Sequence, residues 1–334
     1  MTTGWDDAWE AKRREVDPAG ELEPVRIATE HRGAYHALGP GGLAWVELTG
    51  RAFHQAEDKR ALPTVGDWVL VERWAKAVAG GGAAVIRTIL PRRSFLVRRA
   101  AGEATAPQPL AANVDVGVVM TSANADLVPA RIDRYLGLLR DGGIAPVLVL
   151  SKLDLVADAA PALAALATFG VPVIGMSLVT GEGVEAVKSL GDRGTCVLLG
   201  SSGVGKSSLL NAVTGSAQPT REIRSDERGR HTTTRREMFV APSGAVWIDT
   251  PGMRELAQWI DEGDEDTAFD DIAALAAGCK FRDCRHLDEP GCAVRAGAAL
   301  AGQLVEAIRG PAPRGDPSRE EASATQGVDR RVML

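Results

Sequence analysis

Between residues 24 and 96 the apolar positions come in short runs broken by turn residues. Runs at 25–29, 34–38, 43–48, 67–72 and 85–90 have the length of strands, and Gly39-Pro40-Gly41-Gly42 and Gly80-Gly81-Gly82 punctuate them. Five such strands predict a small barrel; an OB-fold is the leading candidate, although periodicity alone does not separate it from an SH3-like barrel. Beyond residue 110 the pattern changes. Buried-strand runs at 114–121, 146–150, 171–176, 195–199 and 245–248 alternate with helical patterns at 129–140, 161–169, 184–190 and 208–213. That alternation predicts parallel strands joined by crossover helices, the plan of an α/β nucleotide-binding domain. The charged stretch 1–20 reads as a mobile arm, and 101–110, with Gly102, Pro107 and Pro109, reads as a linker. The Pro-, Gly- and charge-rich end of the chain reads as a disordered tail.

Composition narrows the class of protein. The chain has 334 residues, enough for two or three cores, with 45% hydrophobic and 25% charged residues. Residues 1–17 lack the apolar core of a signal peptide, and no apolar run reaches membrane-spanning length, so a cytoplasmic protein without a membrane partner is expected. A formal charge of -6 does not point to bulk nucleic-acid binding, so any RNA contact must come from a local basic patch. Arg92, Arg93, Arg98 and Arg99 surround Phe95 and form such a patch, suited to phosphate backbones; a solvated linker with Phe95 turned inward fits the same residues.

The densest chemistry lies at Gly200-Ser201-Ser202-Gly203-Val204-Gly205-Lys206-Ser207, a full match to the phosphate-loop pattern G-x-x-x-x-G-K-S/T. A predicted strand precedes it, and a helix beginning around Ser208 follows. Glycines let backbone N–H groups curl around phosphates, Lys206 reaches the β/γ oxygens, and the Ser207 hydroxyl can ligate Mg²⁺. Downstream, Asp249-Thr250-Pro251-Gly252 follows another strand; Asp249 can hold Mg²⁺ through water, and the Gly252 N–H can sense a γ-phosphate. Between these motifs lies a run containing His231 and Thr232, Thr233 and Thr234, polar enough for a switch segment. Any of the three hydroxyls can complete a Mg²⁺ shell; Thr234 is taken with Lys206 as part of the catalytic group.

Base choice falls to Ser151-Lys152-Leu153-Asp154. The Asp154 carboxylate can accept from the guanine N1–H and 2-amino groups, which adenine does not offer, while the Lys152 stem covers the ring. Ser177 and Leu178 open the loop after the next strand and suit contact with the base through backbone N–H groups. At the other end of the chain, Cys279, Cys284, His286 and Cys292 are three thiolates and an imidazole in a short stretch, a set suited to one structural Zn²⁺. Cys196, in the strand before the phosphate loop, reads as a core side chain.

Taken together these motifs resemble those of a translation-factor-class GTPase in permuted order, with the base-recognition elements before the phosphate loop. The small barrel, the permutation, the R-H-T-T-T and D-T-P-G strings and the Cys/His set resemble the ribosome small-subunit-dependent GTPase A family (RsgA) over roughly residues 22–308. The resemblance implies five regions: an N-terminal arm (1–20), an OB-like RNA-binding barrel (21–100), a circularly permuted GTPase domain (101–258), a partly helical zinc-binding domain (259–310) and the tail (311–334). It implies GTP hydrolysis to GDP and phosphate with Mg²⁺, one Zn²⁺ at Cys279, Cys284, His286 and Cys292, and a monomer acting on the small ribosomal subunit and its rRNA in late maturation. Two positions depart from the family. Ser151 stands where Asn is usual, which shortens a contact to guanine and a brace to the phosphate loop; Leu178 replaces a small residue. Met253 occupies the position where many GTPases carry a water-orienting glutamine, so slow intrinsic hydrolysis is expected, with His231 as the candidate catalytic group. An ATP-using phosphate-loop enzyme and a nucleotide-gated RNA-binding module with little turnover are the alternatives.

Overall fold

The computed structural model describes residues 4–31, 33–99, 107–123, 127–215, 236–250, 278–280 and 290–296. The chain divides into two compact units, Met1–Ala268 and Phe269–Leu334.

In the first unit, β1 (Glu23–His31), β2 (Ala34–Gly39), β3 (Gly42–Leu48), β4 (Trp68–Glu72) and β5 (Ala84–Ile89) form a barrel. The strands follow the order β1-β2-β3-β5-β4, and β4 pairs back onto β1 to close the ring; β3 and β5 run parallel. This ring order is that of an OB-fold, which strand lengths alone did not single out. Two short helices, α2 (Gly50–Gln55) and α3 (Trp74–Val78), lie in its connections. Alternate positions point inward: Tyr35 and Ala37 of β2 join Val25, Ile27, Val46, Val69, Val71 and Ile86 in one apolar core.

The expected mobile arm is corrected in part by the structure. Residues Asp7–Val16 form helix α1, capped by Asp6, whose side chain accepts from the Trp9 N–H. Trp9 is 2% exposed and clusters with Trp5 and Trp68, the Trp5 and Trp68 rings meeting edge to face at 4.7 Å. A lone tryptophan in a charged stretch gives little periodic signal, yet burying one large ring against others is worth about 2–3 kcal/mol. The region read as a linker, 101–110, is corrected from residue 107 on; residues 101–106 lie outside the described residues. Pro107–Ala112 is strand β7, paired antiparallel with β6 (Phe95–Arg99). A two-stranded ribbon tolerates prolines because each strand keeps an open edge.

The nucleotide domain continues the same sheet. Its strands are β8 (Val116–Ser122), β9 (Ala145–Ser151), β10 (Val173–Gly175), β11 (Thr195–Gly200), β12 (Glu237–Val240) and β13 (Val246–Asp249), in the order β10-β9-β8-β11-β13-β12. All are parallel except β12, which runs antiparallel to β13 and meets β1 of the barrel at the pair Thr29–Glu237. Helices α4 (Pro129–Asp141), α5 (Ala160–Ala167), α6 (Val184–Lys188) and α7 (Lys206–Thr214) cover the faces. Along β11, Val197 and Leu199 face one core with Ile132, Tyr135, Leu136 and Leu139 of α4, while Cys196 and Leu198 face the other with Leu209, Leu210 and Val213 of α7. Being buried on both faces explains why these strands read as unbroken apolar runs. Cys196 is a core residue, its thiol pushed up to about 12 by burial.

Arg26 ties the barrel to this sheet. It is 1% exposed, and its guanidinium donates to the Gly66 carbonyl (3.2 Å), the Asn113 carbonyl (3.0 Å) and the Thr195 hydroxyl (2.8 Å) at the head of β11. Burial lowers its pKa to about 10.

Candidate functional site

Because β8, β9, β11 and β13 are parallel and in register, their C-terminal ends share one edge of the sheet. Ser122 pairs with Ser151, Gly200 with Met120, and Asp249 with Leu198. In open α/β sheets this edge is where ligands bind. The permuted motifs thus converge although the sequence separates them.

The phosphate loop runs from the end of β11 to the start of α7. Gly200 has φ 135°, and a Cβ there would collide with the Met120 carbonyl; Gly205 caps α7 at φ 101°. Ser202 and Gly203 are exposed at the crest, Val204 is buried beneath them, and Ser207 is exposed on the first turn, with Ser208 half-buried beside it. The Lys206 ammonium donates to the carbonyls of Gly200 (2.6 Å) and Ser201 (2.5 Å), folded onto its own loop. The Arg131 guanidinium of α4 approaches the Ser201 hydroxyl at 3.4 Å. Asp249 ends β13 close enough to Lys206 for the ammonium to favour its charge, but burial is the stronger influence and raises its pKa. Buried Thr250 donates to the Leu198 carbonyl at 3.1 Å and fixes the chain leaving that strand.

The strings read as base-recognising in the sequence follow β9 and β10. Ser151 is 1% exposed, and its hydroxyl lies 2.7 Å from the Val204 carbonyl and 3.0 Å from the Thr121 carbonyl. Its one proton is shared between them, so this short side chain still braces the phosphate loop and has no reach left toward a base. Lys152 sits in the left-handed region at φ 61°, turning the chain so that Asp154 stands exposed at the sheet edge. Ser177, fully buried, donates to Asp154 Oδ1 at 2.5 Å while accepting from the N–H groups of Val179 and Thr180 at 3.2 Å. Those two donors direct the Ser177 proton onto Asp154. Leu178 packs its side chain partly against the core beneath.

The arginine patch has other engagements. Arg92 grips fully buried Asp67 with two hydrogen bonds of 2.8 and 2.7 Å, donates to the Arg60 and Leu62 carbonyls, and lies 3.9 Å over the Phe95 ring. Arg93 pairs in the same two-pronged way with Asp6 and lies 4.2 Å over the Trp9 ring. Its hydrogen bonds hold the Asp6 carboxyl down at about 2. Both guanidiniums hold the fold together and do not project from it as a charged arm. Arg98 donates to Gln108 Oε1 at 2.6 Å, and Arg99 ends β6.

His231, Thr232, Thr233, Thr234, Gly252 and Met253 lie outside the described residues, as do Cys284 and His286. In the second unit, half-buried Cys279 and buried Cys292 bring their sulfurs to 4.0 Å, and the Lys280 N–H donates to the Gly291 carbonyl at 3.2 Å. Among the described residues no group of three or more His, Cys, Asp or Glu side chains is placed to hold a metal, nor is any helix long and apolar enough to cross a membrane. Sequence reasoning missed Arg26, Arg131 and Glu30 altogether; each is a single charged residue whose partner lies far along the chain.

Comparison with known proteins gives a consistent result. The RsgA GTPase family model matches residues 89–259. The small ribosomal subunit biogenesis GTPase RsgA of Opitutus terrae is 42% identical over 336 residues, covering 98% of this chain and 90% of that protein. Its counterpart in Streptomyces avermitilis is 41% identical over 312 residues, with coverages of 91% and 81%. Among solved structures, YjeQ from Thermotoga maritima superposes with a TM-score of 0.55 at 24% identity, covering 86% of this chain and 94% of its own. YloQ, described as a circularly permuted GTPase, gives 0.51 at 26% identity with coverages of 86% and 92%.

Proposed function

The chain belongs to the RsgA GTPase family, and from that premise we propose that it binds the small ribosomal subunit and hydrolyses GTP to GDP and phosphate while docked there, late in subunit maturation. The observation that carries this reading is the joining of base choice and phosphate binding on one sheet edge: Ser177 holds Asp154, and Ser151 holds the phosphate loop. A carboxylate so oriented selects guanine, and the loop receives the phosphates on its N–H groups, with Lys206 leaving the Gly200 and Ser201 carbonyls to reach them. Ser202, Gly203, Val204, Ser207 and Ser208 complete the loop's contacts. The exposed Ser207 hydroxyl and the Asp249 carboxylate fit Mg²⁺, a hard cation that takes oxygen ligands. When bound, the ion neutralises charge on the phosphates. Lys206 adds a fixed positive charge, Thr234 extends the set of oxygen ligands, and His231 fills the role that Met253 leaves open.

The protein acts as a cytoplasmic monomer in this reading, with rRNA as the part of the subunit it touches. Of the four arginines singled out, Arg92 and Arg93 serve the fold, so an rRNA contact from this segment falls to Arg98 and Arg99. GTPase assays with and without purified small subunits test the function. Turnover is expected to rise at least tenfold with subunits, and His231→Ala is expected to abolish that rise while nucleotide binding persists. Equal turnover in both conditions contradicts the reading.

For the second unit we propose a structural Zn²⁺ held by Cys279, Cys284, His286 and Cys292. Two thiolates on a tetrahedral zinc with bonds of about 2.3 Å stand roughly 3.8 Å apart, and the 4.0 Å between the Cys279 and Cys292 sulfurs fits that spacing. Elemental analysis of purified protein is expected to give one zinc per chain. Protein that carries none, yet melts and turns over normally, contradicts the assignment.

A further inference from the structure

We propose that the Glu30–Arg236 ion pair is a positioning pair for GTP hydrolysis, through which the barrel holds the chain leaving the threonine segment. Arg236 follows Thr232–Thr234 by two residues, and its Nη1 lies 3.3 Å from Glu30 Oε2 on the barrel strand β1. The Arg236 side chain is only 17% exposed. Burial, and to a lesser degree the nearby positive charge of Arg98, lower its pKa, and Glu30 opposes them only in part.

The next residue places this contact in a longer row. Glu237 pairs with Thr29 of the barrel on one side and with Asp249 on the other, and Asp249 aligns with Leu198, two residues before Gly200. One row of backbone therefore runs from the barrel, past the exit of the threonine segment, to the candidate Mg²⁺ carboxylate and the strand bearing the phosphate loop. Strand β12 would otherwise be the open edge of the nucleotide sheet, and β1 covers it. Arg26, at the other end of β1, is anchored on Thr195 of β11, so β1 does not slide freely along that edge. A movement of Arg236 that accompanies exchange of GTP for GDP must therefore break the ion pair or pull on β1. A ligand whose contacts differ between the two arrangements shifts the balance between them, and the pair favours the arrangement in which it is made.

The inference rests on reading Thr232–Thr234 as the segment that meets the γ-phosphate, and the test separates the two. Glu30→Gln, Arg236→Gln and the charge-reversed double variant E30R/R236E are compared with the unaltered full-length protein for binding of a fluorescent GDP and of a non-hydrolysable GTP analogue, and for kcat and KM. The single variants are expected to bind the GTP analogue about threefold more weakly, the scale of a partly exposed ion pair, with GDP binding unchanged and kcat lowered. The reversed pair is expected to restore both. Equal loss for the two nucleotides, no loss for either, or failure of the reversed pair to restore binding overturns the proposal. Thr232→Ala, Thr233→Ala and Thr234→Ala are measured alongside. If one of these separates the two nucleotides and the Glu30 and Arg236 variants do not, the pair alone is wrong; if none does and the pair variants also fail, the reading of the segment falls with it.

Discussion

Replacing Lys206 with alanine is expected to lower GTP turnover by a factor on the order of 10²–10³, as removal of a single preorganised charge from a transition-state site does elsewhere. The ammonium is a positive group carried by the phosphate loop itself, held 2.6 and 2.5 Å from the Gly200 and Ser201 carbonyls. Those two carbonyls, on residues that are themselves buried, lose that donor when the side chain is truncated, but the shape of the loop is set by Gly200 and Gly205. Position 206 opens α7, and alanine is the strongest helix former, so the helix survives the change. The melting temperature should therefore hold while kcat/KM collapses. Turnover within threefold of the unaltered protein would place the phosphate chemistry elsewhere.

The second large effect concerns which base is accepted. Asp154→Asn replaces a carboxylate oxygen with an amide N–H₂ that faces the N1–H and 2-amino donors of guanine. Losing two charge-assisted hydrogen bonds of about 1.5–3 kcal/mol each predicts a fall in GTP affinity of at least 10²-fold. Xanthine offers a carbonyl in place of the 2-amino group, so XTP is expected to replace GTP as the preferred substrate. The surrounding geometry favours a clean exchange. Ser177 takes two N–H donors on its oxygen and so keeps its proton for Oδ1, which orients the asparagine with its oxygen toward Ser177 and its nitrogen outward. Competition between GTP, XTP and ATP for a fluorescent nucleotide measures this directly. Unaltered GTP preference in the variant would remove Asp154 from base selection.

Ser151 shows how a departure from the usual residue is absorbed. A serine hydroxyl is too short to brace the loop and touch a base, and the structure spends it on the brace, at 2.7 Å from Val204. In the proposed function, discrimination between bases then falls all the more to Asp154.

Much of the fold was legible in the chain because its cues are local. The barrel strands are short apolar runs set off by glycine turns, the parallel strands are apolar on both faces, and the phosphate loop carries its glycines, lysine and serine within eight consecutive residues. Each of these signals reports on backbone geometry or burial over one element, which neighbouring residues suffice to dictate. Helix α1, with one buried ring, and β12, four residues long, left too weak a pattern to read.

What the tertiary structure decided is where the charges go. The arginine run fitted a phosphate-binding patch and a linker with Phe95 turned inward equally well; in the fold Arg92 finds Asp67 at a separation of 25 residues and Arg93 finds Asp6 at 87. Arg26 reaches Thr195 across 169 residues, and Arg236 reaches Glu30 across 206. A charged side chain gives no sign in sequence of whether it meets water, a phosphate or a buried carboxylate. That choice is made only when closure of the barrel and its pairing with the nucleotide sheet bring distant strands within a few ångströms and remove the water between them.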